Sequence, residues 1–238
     1  MGGVGRRCFL LEGGSEFAGA MAEADLAAVR LAGGRSAPVA IIPAAAVPAK
    51  DHANAGGNGV RWFRSLGHPS VRSLDLVDRA SAEDPRISSD LERSRLIFML
   101  GGSPRYLAET LKGTRAWKAV LRAHRQGAVV GGSSAGAMVL CDRFFDRASQ
   151  RVLPGLGLLP GCCVLPHHDT FGKKWAPALR RLLPGASLVG IDEETGLLND
   201  GPAGEWTVYG DGAVTLYTAG SLTRYRHGQS MVLPIKAG

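Results

Sequence analysis

A serine occupies the centre of a Gly-x-Ser-x-Gly sequence at residues 132–136, directly after an apolar run at residues 128–130. The apolar run is typical of a strand, and the alanine-rich stretch after Ser134 is typical of a helix. A chain that changes from strand to helix within one turn strains the backbone of the serine and exposes its hydroxyl. Side chains at Gly132 and Gly136 would collide with the neighbouring strand and helix. The pattern therefore predicts a nucleophile elbow with Ser134 as nucleophile.

The same turn predicts an oxyanion hole. The first N–H groups of a helix lack intrahelical acceptors and favour negative charge, so the N–H of Ala135 is one expected donor. A second donor should follow another strand. Residues 96–100 form a continuous apolar run of the kind found in buried strands, and Gly101-Gly102-Ser103-Pro104 comes next. Gly102 is the predicted donor, with the N–H of Ser103 also available before Pro104 begins a helix.

The alternative for each glycine pattern is an ordinary turn, or a turn that holds a phosphate. A phosphate loop requires a lysine after its glycines, and none follows residues 131–136. A Gly-x-Gly-x-x-Gly sequence is also missing there. The sequence therefore favours acyl chemistry over phosphate binding at this turn.

A serine nucleophile requires a base, and the base requires an acid that orients it. Residues 166–169, Pro-His-His-Asp, follow a predicted strand at 163–165, where an α/β sheet presents residues to a ligand. His167 is the predicted base. The alternative is that His167 and His168 cap a loop. A metal site is excluded because no other ligands occur at suitable spacing.

Three successive carboxylates follow a predicted strand at residues 187–191. Glu193 is the predicted acid of the site, and Asp192 and Glu194 remain open as alternatives. A solvated acidic turn would show the same pattern.

The elements that must position these residues alternate between strand and helix. Strands are predicted at residues 8–11, 38–42, 70–77, 96–100 and 128–130, and helices at residues 17–31, 51–66, 87–94, 104–111 and 115–126. This alternation predicts a mostly parallel sheet covered by helices on both faces, a three-layer α/β/α sandwich.

The pattern changes in the C-terminal third. A helix is predicted at residues 174–183 and short strands at residues 187–191, 195–198, 206–209, 213–217, 222–226 and 231–235, with Asp211-Gly212 as a hairpin turn. We expect these strands to extend one edge of the sheet in antiparallel fashion. No repeat or linker divides the chain, which predicts a single domain over residues 1–238.

Composition limits the remaining function classes. The chain is 45% hydrophobic and 21% charged, as in globular proteins, and no apolar stretch is long enough to cross a bilayer. Its net charge of +7 comes from scattered basic residues that do not alternate with aromatic residues, which argues against a nucleic-acid surface. The N-terminus does not resemble a secretory signal, and the cysteines (Cys8, Cys141, Cys162 and Cys163) lack zinc or disulfide spacing. These features predict a cytoplasmic protein with reduced core cysteines.

Several segments together resemble the cyanophycinase and dipeptidase E family of serine peptidases. They are residues 98–102, residues 132–137, Gly155-Leu156-Gly157-Leu158-Leu159-Pro160 with the following Pro166-His167, and residues 190–195. The resemblance implies the flavodoxin-like fold shared with class I glutamine amidotransferases. It also implies that Ser134 is the nucleophile, His167 the base and Glu193 the acid, with Gly102 and Ala135 as oxyanion donors.

The resemblance further implies hydrolysis of a small peptide with an aspartyl group on the acyl side, without a metal or organic cofactor. Predicted substrate contacts are Ser103, Arg105 and His168, and Lys173 or Lys174 could also supply a basic pocket. The chain departs from cyanophycinases where Gly101-Gly102-Ser103-Pro104 replaces Gly-Gly-Asp-Gln and where residues 165–168, Leu-Pro-His-His, replace Asp-Gln-His-Phe. Edge strands in the C-terminal third would allow a homodimer.

Two other functions remain open from the sequence. An α/β-hydrolase esterase would use Ser134, then Asp192 or Asp211, then His227 in chain order, although the His-Gly oxyanion motif of that class is missing. An amidotransferase-like scaffold that binds a ligand without turnover would also fit the fold. Loss of activity on His167→Ala or His227→Ala, and labelling of Ser134 by a fluorophosphonate, discriminate these alternatives.

Overall fold

A computed structural model describes residues 7–235 of the chain. The strands are β1 (Phe9–Glu12), β2 (Val39–Ile42), β3 (Val71–Ser73), β4 (Leu96–Met99), β5 (Val129–Ser133), β6 (Arg143–Asp146), β7 (Arg151–Pro154), β8 (Cys162–Leu165), β9 (Ser187–Ile191), β10 (Thr195–Leu198), β11 (Trp206–Gly210), β12 (Ala213–Tyr217), β13 (Leu222–Arg226) and β14 (Ser230–Met231). The helices are α1 (Met21–Leu31), α2 (His52–Ser65), α3 (Pro85–Arg93), α4 (Pro104–Leu111), α5 (Arg115–Arg125), α6 (Ala135–Leu140) and α7 (Ala176–Leu182). Short 3-10 segments occur at Ala44–Ala49, Ser81–Glu83 and Gly172–Trp175.

The largest sheet has eight strands in the order β14-β11-β10-β1-β5-β4-β2-β3. The five strands from β1 to β3 in that order pair in parallel, whereas β10, β11 and β14 are antiparallel. Helices α1 and α2 pack on one face, and α3 to α6 pack on the other. The prediction of a mostly parallel α/β/α sandwich with late antiparallel strands is confirmed.

Apolar strand residues explain why both faces are covered. Along β1, Leu10 packs with the cluster that contains α1 and α2, whereas Phe9 and Leu11 pack with the cluster on the opposite face. Successive strand residues point to opposite faces, so a strand that is apolar throughout is stable only between two layers. The parallel strands also end at one edge, where Glu12 of β1 lies beside Ser133 of β5.

A second sheet has four strands in the order β13-β12-β9-β8. The expectation that all strands after residue 187 extend one edge is therefore wrong for β9, β12 and β13, which lie in this second sheet with β8. The predicted hairpin at Asp211-Gly212 is also wrong, because β11 belongs to the large sheet and β12 to the second sheet. The N–H of Asp211 donates to the carbonyl of Glu194 at 3.1 Å, which continues the contact between β10 and β11 past the end of β11.

Several boundaries differ from the sequence prediction. Helix α1 begins at Met21 rather than at residue 17, because residues 13–20 form a loop. The strand predicted at 70–77 is limited to Val71–Ser73, at the end of the sheet. The β6–β7 hairpin was not predicted. Helix α2 forms despite its glycines, since a Cβ at Gly59 would lie 2.6 Å from Ile41 Cδ1 and prevent the packing.

No helix in residues 7–235 is long and apolar enough to span a membrane.

Two carboxyl groups are buried together beneath the edge of the large sheet. Glu12 ends β1, and Asp25 on α1 accepts a hydrogen bond from Trp62 Nε1 at 2.7 Å. Burial raises the pKa of Asp25 to about 7 and, together with the charge of Asp25, raises the pKa of Glu12 well above its usual range. The folded protein therefore retains protons here that the unfolded chain releases.

Asp25→Asn should flatten the pH dependence of stability. The folded pKa of Asp25, about 7, lies above its unfolded value, so the folded state binds more protons between about pH 4 and pH 7. The free energy of unfolding of the wild type should therefore fall as pH rises through this window. Asn keeps an acceptor for Trp62 and does not titrate, so the fall should be smaller.

Thermal unfolding of both proteins from pH 5 to pH 8.5 measures this effect. Asp75→Asn, which changes an exposed carboxylate, is the matched control and should follow the wild type. Parallel pH profiles for the wild type and Asp25→Asn would contradict the interpretation.

Candidate active site

Ser134 lies at the turn between β5 and α6, with φ 48° and ψ −109°. Few residues other than glycine adopt a positive φ, so the surrounding structure must hold this conformation. The turn is tight because α6 approaches β4: a Cβ at Gly136 would lie 2.1 Å from the carbonyl oxygen of Met99. A Cβ at Gly132 would lie 2.7 Å from the same oxygen. Both glycines are needed for the reason that the sequence indicates.

A chain of hydrogen bonds joins Ser134, His167 and Glu193. Nε2 of His167 lies 3.0 Å from Ser134 Oγ, and Nδ1 of His167 lies 2.8 Å from Glu193 Oε1. The carboxylate can only accept at Nδ1, so Nδ1 carries the proton and Nε2 is free to accept from the serine hydroxyl. The three residues chosen from the sequence, Ser134, His167 and Glu193, are thus brought into contact in that order.

The second sheet explains how His167 meets Glu193. Strands β8 and β9 pair in parallel, with Leu165 opposite Gly190, so both chains leave the sheet at the same level. His167 lies two residues past the end of β8, and Glu193 two residues past the end of β9. Asp169 adds a hydrogen bond between the two segments, because its Oδ1 accepts from the N–H of Glu193 at 3.0 Å.

His168 and Asp192 form a separate buried pair. Nδ1 of His168 lies 3.3 Å from Asp192 Oδ1, and its Nε2 lies 2.8 Å from the hydroxyl of Tyr217. Asp192 also accepts from the N–H of Ala213 at 3.0 Å and from Arg224 Nη2 at 2.9 Å. Burial lowers the pKa of His168, although Asp192 opposes this shift. Asp192 therefore has partners other than His167, and the expectation that His168 contacts substrate is not met.

A cavity of about 660 Å³ opens over Ser134 and His167. Three aromatic residues line it: Phe145, Phe171 and Trp175. The ring of Phe171 stacks on the imidazole of His167 with centroids 4.8 Å apart. This wall limits the directions from which a substrate can approach the serine.

The basic group of this cavity is Arg147, which the sequence analysis missed. Arg147 lies between β6 and β7, and its Cζ is 5.3 Å from the ring centroid of Phe171. The hairpin itself was not predicted, so no sequence pattern indicated that Arg147 lies near Ser134. Arg105 instead pairs with Glu109 on the surface at 2.9 Å, and the exposed Lys173 and Lys174 are also not among the lining residues.

Gly102 and Ser103 line the cavity beside Ser134. Gly102 has a φ of 133°, and a Cβ there would lie 2.2 Å from the carbonyl oxygen of Ala45, so only glycine fits. Within residues 7–235, the N–H groups of Gly102 and Ala135 have no protein acceptor. Ser103 Oγ accepts from the N–H of Tyr106 at 3.2 Å and caps α4.

The histidine of the esterase alternative lies elsewhere. His227 Nε2 is 3.7 Å from Glu23 Oε2, and the His227 ring contacts Tyr209. The imidazole that contacts Ser134 is that of His167. Among the described residues, no three His, Cys, Asp or Glu side chains are arranged to hold a metal ion. Cys8, Cys141, Cys162 and Cys163 are buried.

Comparisons with known proteins give a consistent result. Residues 9–204 match the model of peptidase family S51. The chain is 29% identical over 215 residues to a cyanophycinase of Geminocystis herdmanii, covering 83% of this chain and 75% of the relative. It is 30% identical over 214 residues to a cyanophycinase of Synechococcus elongatus, covering 82% and 64%. A crystal structure of a peptidase from an acI-B1 actinobacterium superimposes with a TM-score of 0.83 at 27% identity, with 96% of each chain covered.

His168→Ala should lower stability more than His167→Ala. The substitution removes two hydrogen bonds from a buried side chain and leaves Asp192 and Tyr217 with fewer partners, at a cost of about 1–3 kcal/mol. For a chain of this size, that corresponds to a fall in Tm of roughly 3–10 °C. His167 lies on the cavity wall and its loss should change Tm less. Calorimetry of both variants checks this order, and equal Tm values would contradict it.

Proposed function

Because the chain belongs to peptidase family S51 and is a serine peptidase, we propose that it hydrolyses a peptide or isopeptide bond of small peptides through an acyl-enzyme on Ser134. The observation that supports this mechanism best is the continuous contact from Ser134 Oγ through His167 to Glu193 at the wall of an open cavity. A nucleophile, a base and an orienting acid within hydrogen-bond distance are the parts that such a mechanism requires.

In the first step, Ser134 Oγ attacks the scissile carbonyl while Nε2 of His167 accepts its proton. The imidazolium that forms is stabilised by the carboxylate of Glu193, which also keeps the ring oriented. The tetrahedral oxyanion would accept hydrogen bonds from the N–H groups of Gly102 and Ala135, which have no competing acceptor in the described part of the chain. His167 then donates its proton to the leaving amine, and the carbon–nitrogen bond breaks.

In the second step, water replaces the leaving amine beside His167. Nε2 of His167 accepts a proton from this water as the water oxygen attacks the acyl carbon. Collapse of the second tetrahedral intermediate returns the proton to Ser134 Oγ and releases the carboxylic acid. Every proton in this cycle passes through one ring nitrogen, so the ring orientation set by Glu193 matters in both steps.

The cavity favours a substrate that carries a carboxylate. Arg147 lies at its wall without a carboxylate partner within residues 7–235, and guanidinium groups bind carboxylates well. The resemblance to cyanophycinases and dipeptidase E implies an aspartyl group on the acyl side. We therefore propose that Arg147, rather than Arg105 or Lys173, is the basic contact for an acidic peptide. Ser103, which lines the same cavity, is a second proposed contact.

A fluorophosphonate probe should label the wild type but not Ser134→Ala. Labelling requires an activated serine hydroxyl, so His167→Ala should react at least about 100-fold more slowly, in line with the usual contribution of a general base. Mass spectrometry of the labelled peptide identifies the modified residue. His227→Ala is the matched control and should label like the wild type. Absence of labelling in folded wild type would favour the binding scaffold without turnover.

Arg147→Gln should weaken the hydrolysis of aspartyl dipeptides. Loss of a charged contact to a carboxylate typically costs about 1.5–3 kcal/mol, which corresponds to roughly 10- to 150-fold in kcat/KM. A peptide with asparagine in place of aspartate should show a much smaller change. Arg105→Gln is the matched control because Arg105 pairs with Glu109 on the surface and does not line the cavity. Equal losses in the two arginine variants would contradict the assignment.

A further inference from the structure

One short loop contacts each part of the candidate site. This loop, which we call the β1 loop, comprises residues 13–17 and follows β1. Two contacts are made by its backbone: the Gly13 carbonyl accepts from the N–H of His167 at 2.8 Å, and the Gly14 carbonyl accepts from the N–H of Glu194 at 3.2 Å. Two side chains make the others. Ser15 Oγ donates to Glu193 Oε2 at 2.9 Å, and the Glu16 carboxylate accepts from Gly101 and Ser133. The chemistry proposed above uses none of these side chains.

Glu16 joins the turn at Ser134 to the segment that carries Gly102. Its Oε2 accepts from Ser133 Oγ at 2.7 Å, and its Oε1 accepts from the N–H of Gly101 at 3.2 Å. A Cβ at Gly101 would lie 3.1 Å from Glu16 Oε1 and 3.5 Å from Ser134 Cβ. The carboxylate of Glu16 therefore lies directly beside Gly101 and close to Ser134.

The bond to Gly101 matters because of the residue that follows it. Glu16 fixes the N–H of Gly101, which leaves the next N–H, that of Gly102, for the developing oxyanion. Glycines have wide backbone freedom, so two in succession would not keep this direction without an external contact. Oxyanion stabilisation depends on donors held in place before the reaction, and a small misplacement of reacting groups reduces the rate strongly.

Ser15 acts on the other end of the site. Glu193 uses Oε1 for His167 and Oε2 for Ser15, so both carboxylate oxygens have partners and the group cannot rotate freely. A Cβ at Gly14 would lie 2.3 Å from Cε1 of His167, which shows how closely the β1 loop backs the imidazole. The loop thus supports both the base and the acid.

The backbone of the β1 loop is held in an uncommon conformation. Ser15 has a φ of 56° and Phe17 a φ of 64°, values that residues with side chains rarely adopt. Phe17 is anchored by ring contacts to Phe63 and Phe98, with centroids 6.0 and 5.3 Å apart. Strained residues of this kind persist where the surrounding structure fixes them, often at functional sites.

We propose that Glu16 is a positioning residue that holds the oxyanion donor Gly102 in register with Ser134, and that Ser15 positions the acid Glu193. This inference rests on the proposed function, because it assigns these residues to the serine hydrolysis described above. It adds a fifth chain segment to the machinery, beside those that carry Gly102, Ser134, His167 and Glu193.

Steady-state kinetics on a hydrolysed dipeptide tests the role of Glu16. Glu16→Ala should lower kcat by roughly 10- to 100-fold and change KM by less than about 3-fold, as expected when an outer contact that orients reacting groups is lost. Glu16→Gln keeps an oxygen for Gly101 and an amide group that can donate to Ser133, so kcat should recover to within about 5-fold of the wild type. Glu16→Asp keeps the charge without the reach and should resemble Glu16→Ala, which preserves the test if the alanine variant does not fold.

The pH profile of kcat/KM tests the role of Ser15. Without its hydroxyl, more negative charge remains on the Glu193 oxygen that faces His167, so the imidazolium is stabilised. Ser15→Ala should therefore shift the acidic limb of the profile to higher pH by a few tenths, with a few-fold fall in kcat. A purely structural role would lower Tm without moving the limb. An unmoved limb would overturn the assignment of Ser15.

Glu23→Ala removes an exposed carboxylate just after the β1 loop and serves as the matched control. If the wild type hydrolyses dipeptide and reacts with fluorophosphonate, the proposed function is intact. If Glu16→Ala then has the same kcat as Glu23→Ala, the role of Glu16 is overturned. Folded wild type that neither reacts nor hydrolyses would overturn both. A fall in kcat on Glu16→Ala that Glu16→Gln largely restores would establish the positioning role.

Discussion

The parallel pairing of β8 with β9 is the constraint on which the candidate site depends. It sets Leu165 opposite Gly190, so the residues that follow both strands emerge together and the imidazole of His167 meets the carboxylate of Glu193. Ser134 comes from the other sheet, at the end of β5. The site therefore lies where the ends of two sheets face each other. The distances among its side chains depend on the relative placement of those strand ends rather than on either sheet alone.

The position of Ser134 depends in addition on the close approach of the α6 backbone to the β4 backbone. The carbonyl oxygen of Met99 on β4 lies so close to Gly136 on α6 that a Cβ there would be 2.1 Å away. The helix therefore packs closely against the sheet directly after Ser134, which has a φ of 48°. The strain is local, whereas the buried residues that hold it extend over both faces of the sheet. Stability of the core thus maintains a conformation that the serine would not adopt in isolation.

Much of this could be predicted from the sequence, because local patterns carry the information. Short-range residue types indicate the turn at Ser134, the strands before His167 and Glu193, and the burial of the cysteines. Arg147 and Glu16 could not be found. Arg147 lies in an unpredicted hairpin, and Glu16 lies in the loop between the first predicted strand and the helix predicted from residue 17, where no recognised motif occurs. His167 could be chosen as the base, but the burial of His168 could not be predicted, because it follows from the long-range contacts of His168 with Asp192 and Tyr217.

Residues 211 and 212 are all that separates β11 in the large sheet from β12 in the second sheet. Two extended residues span only about 7 Å, so this connection is a short tether between the two halves of the cleft. The short connection restricts sliding of one sheet relative to the other. It therefore helps to keep Ser134 of the large sheet aligned with His167 of the second sheet. A longer connection here would loosen this restraint and leave residues 192–194, between β9 and β10, as the other short connection that joins the sheets.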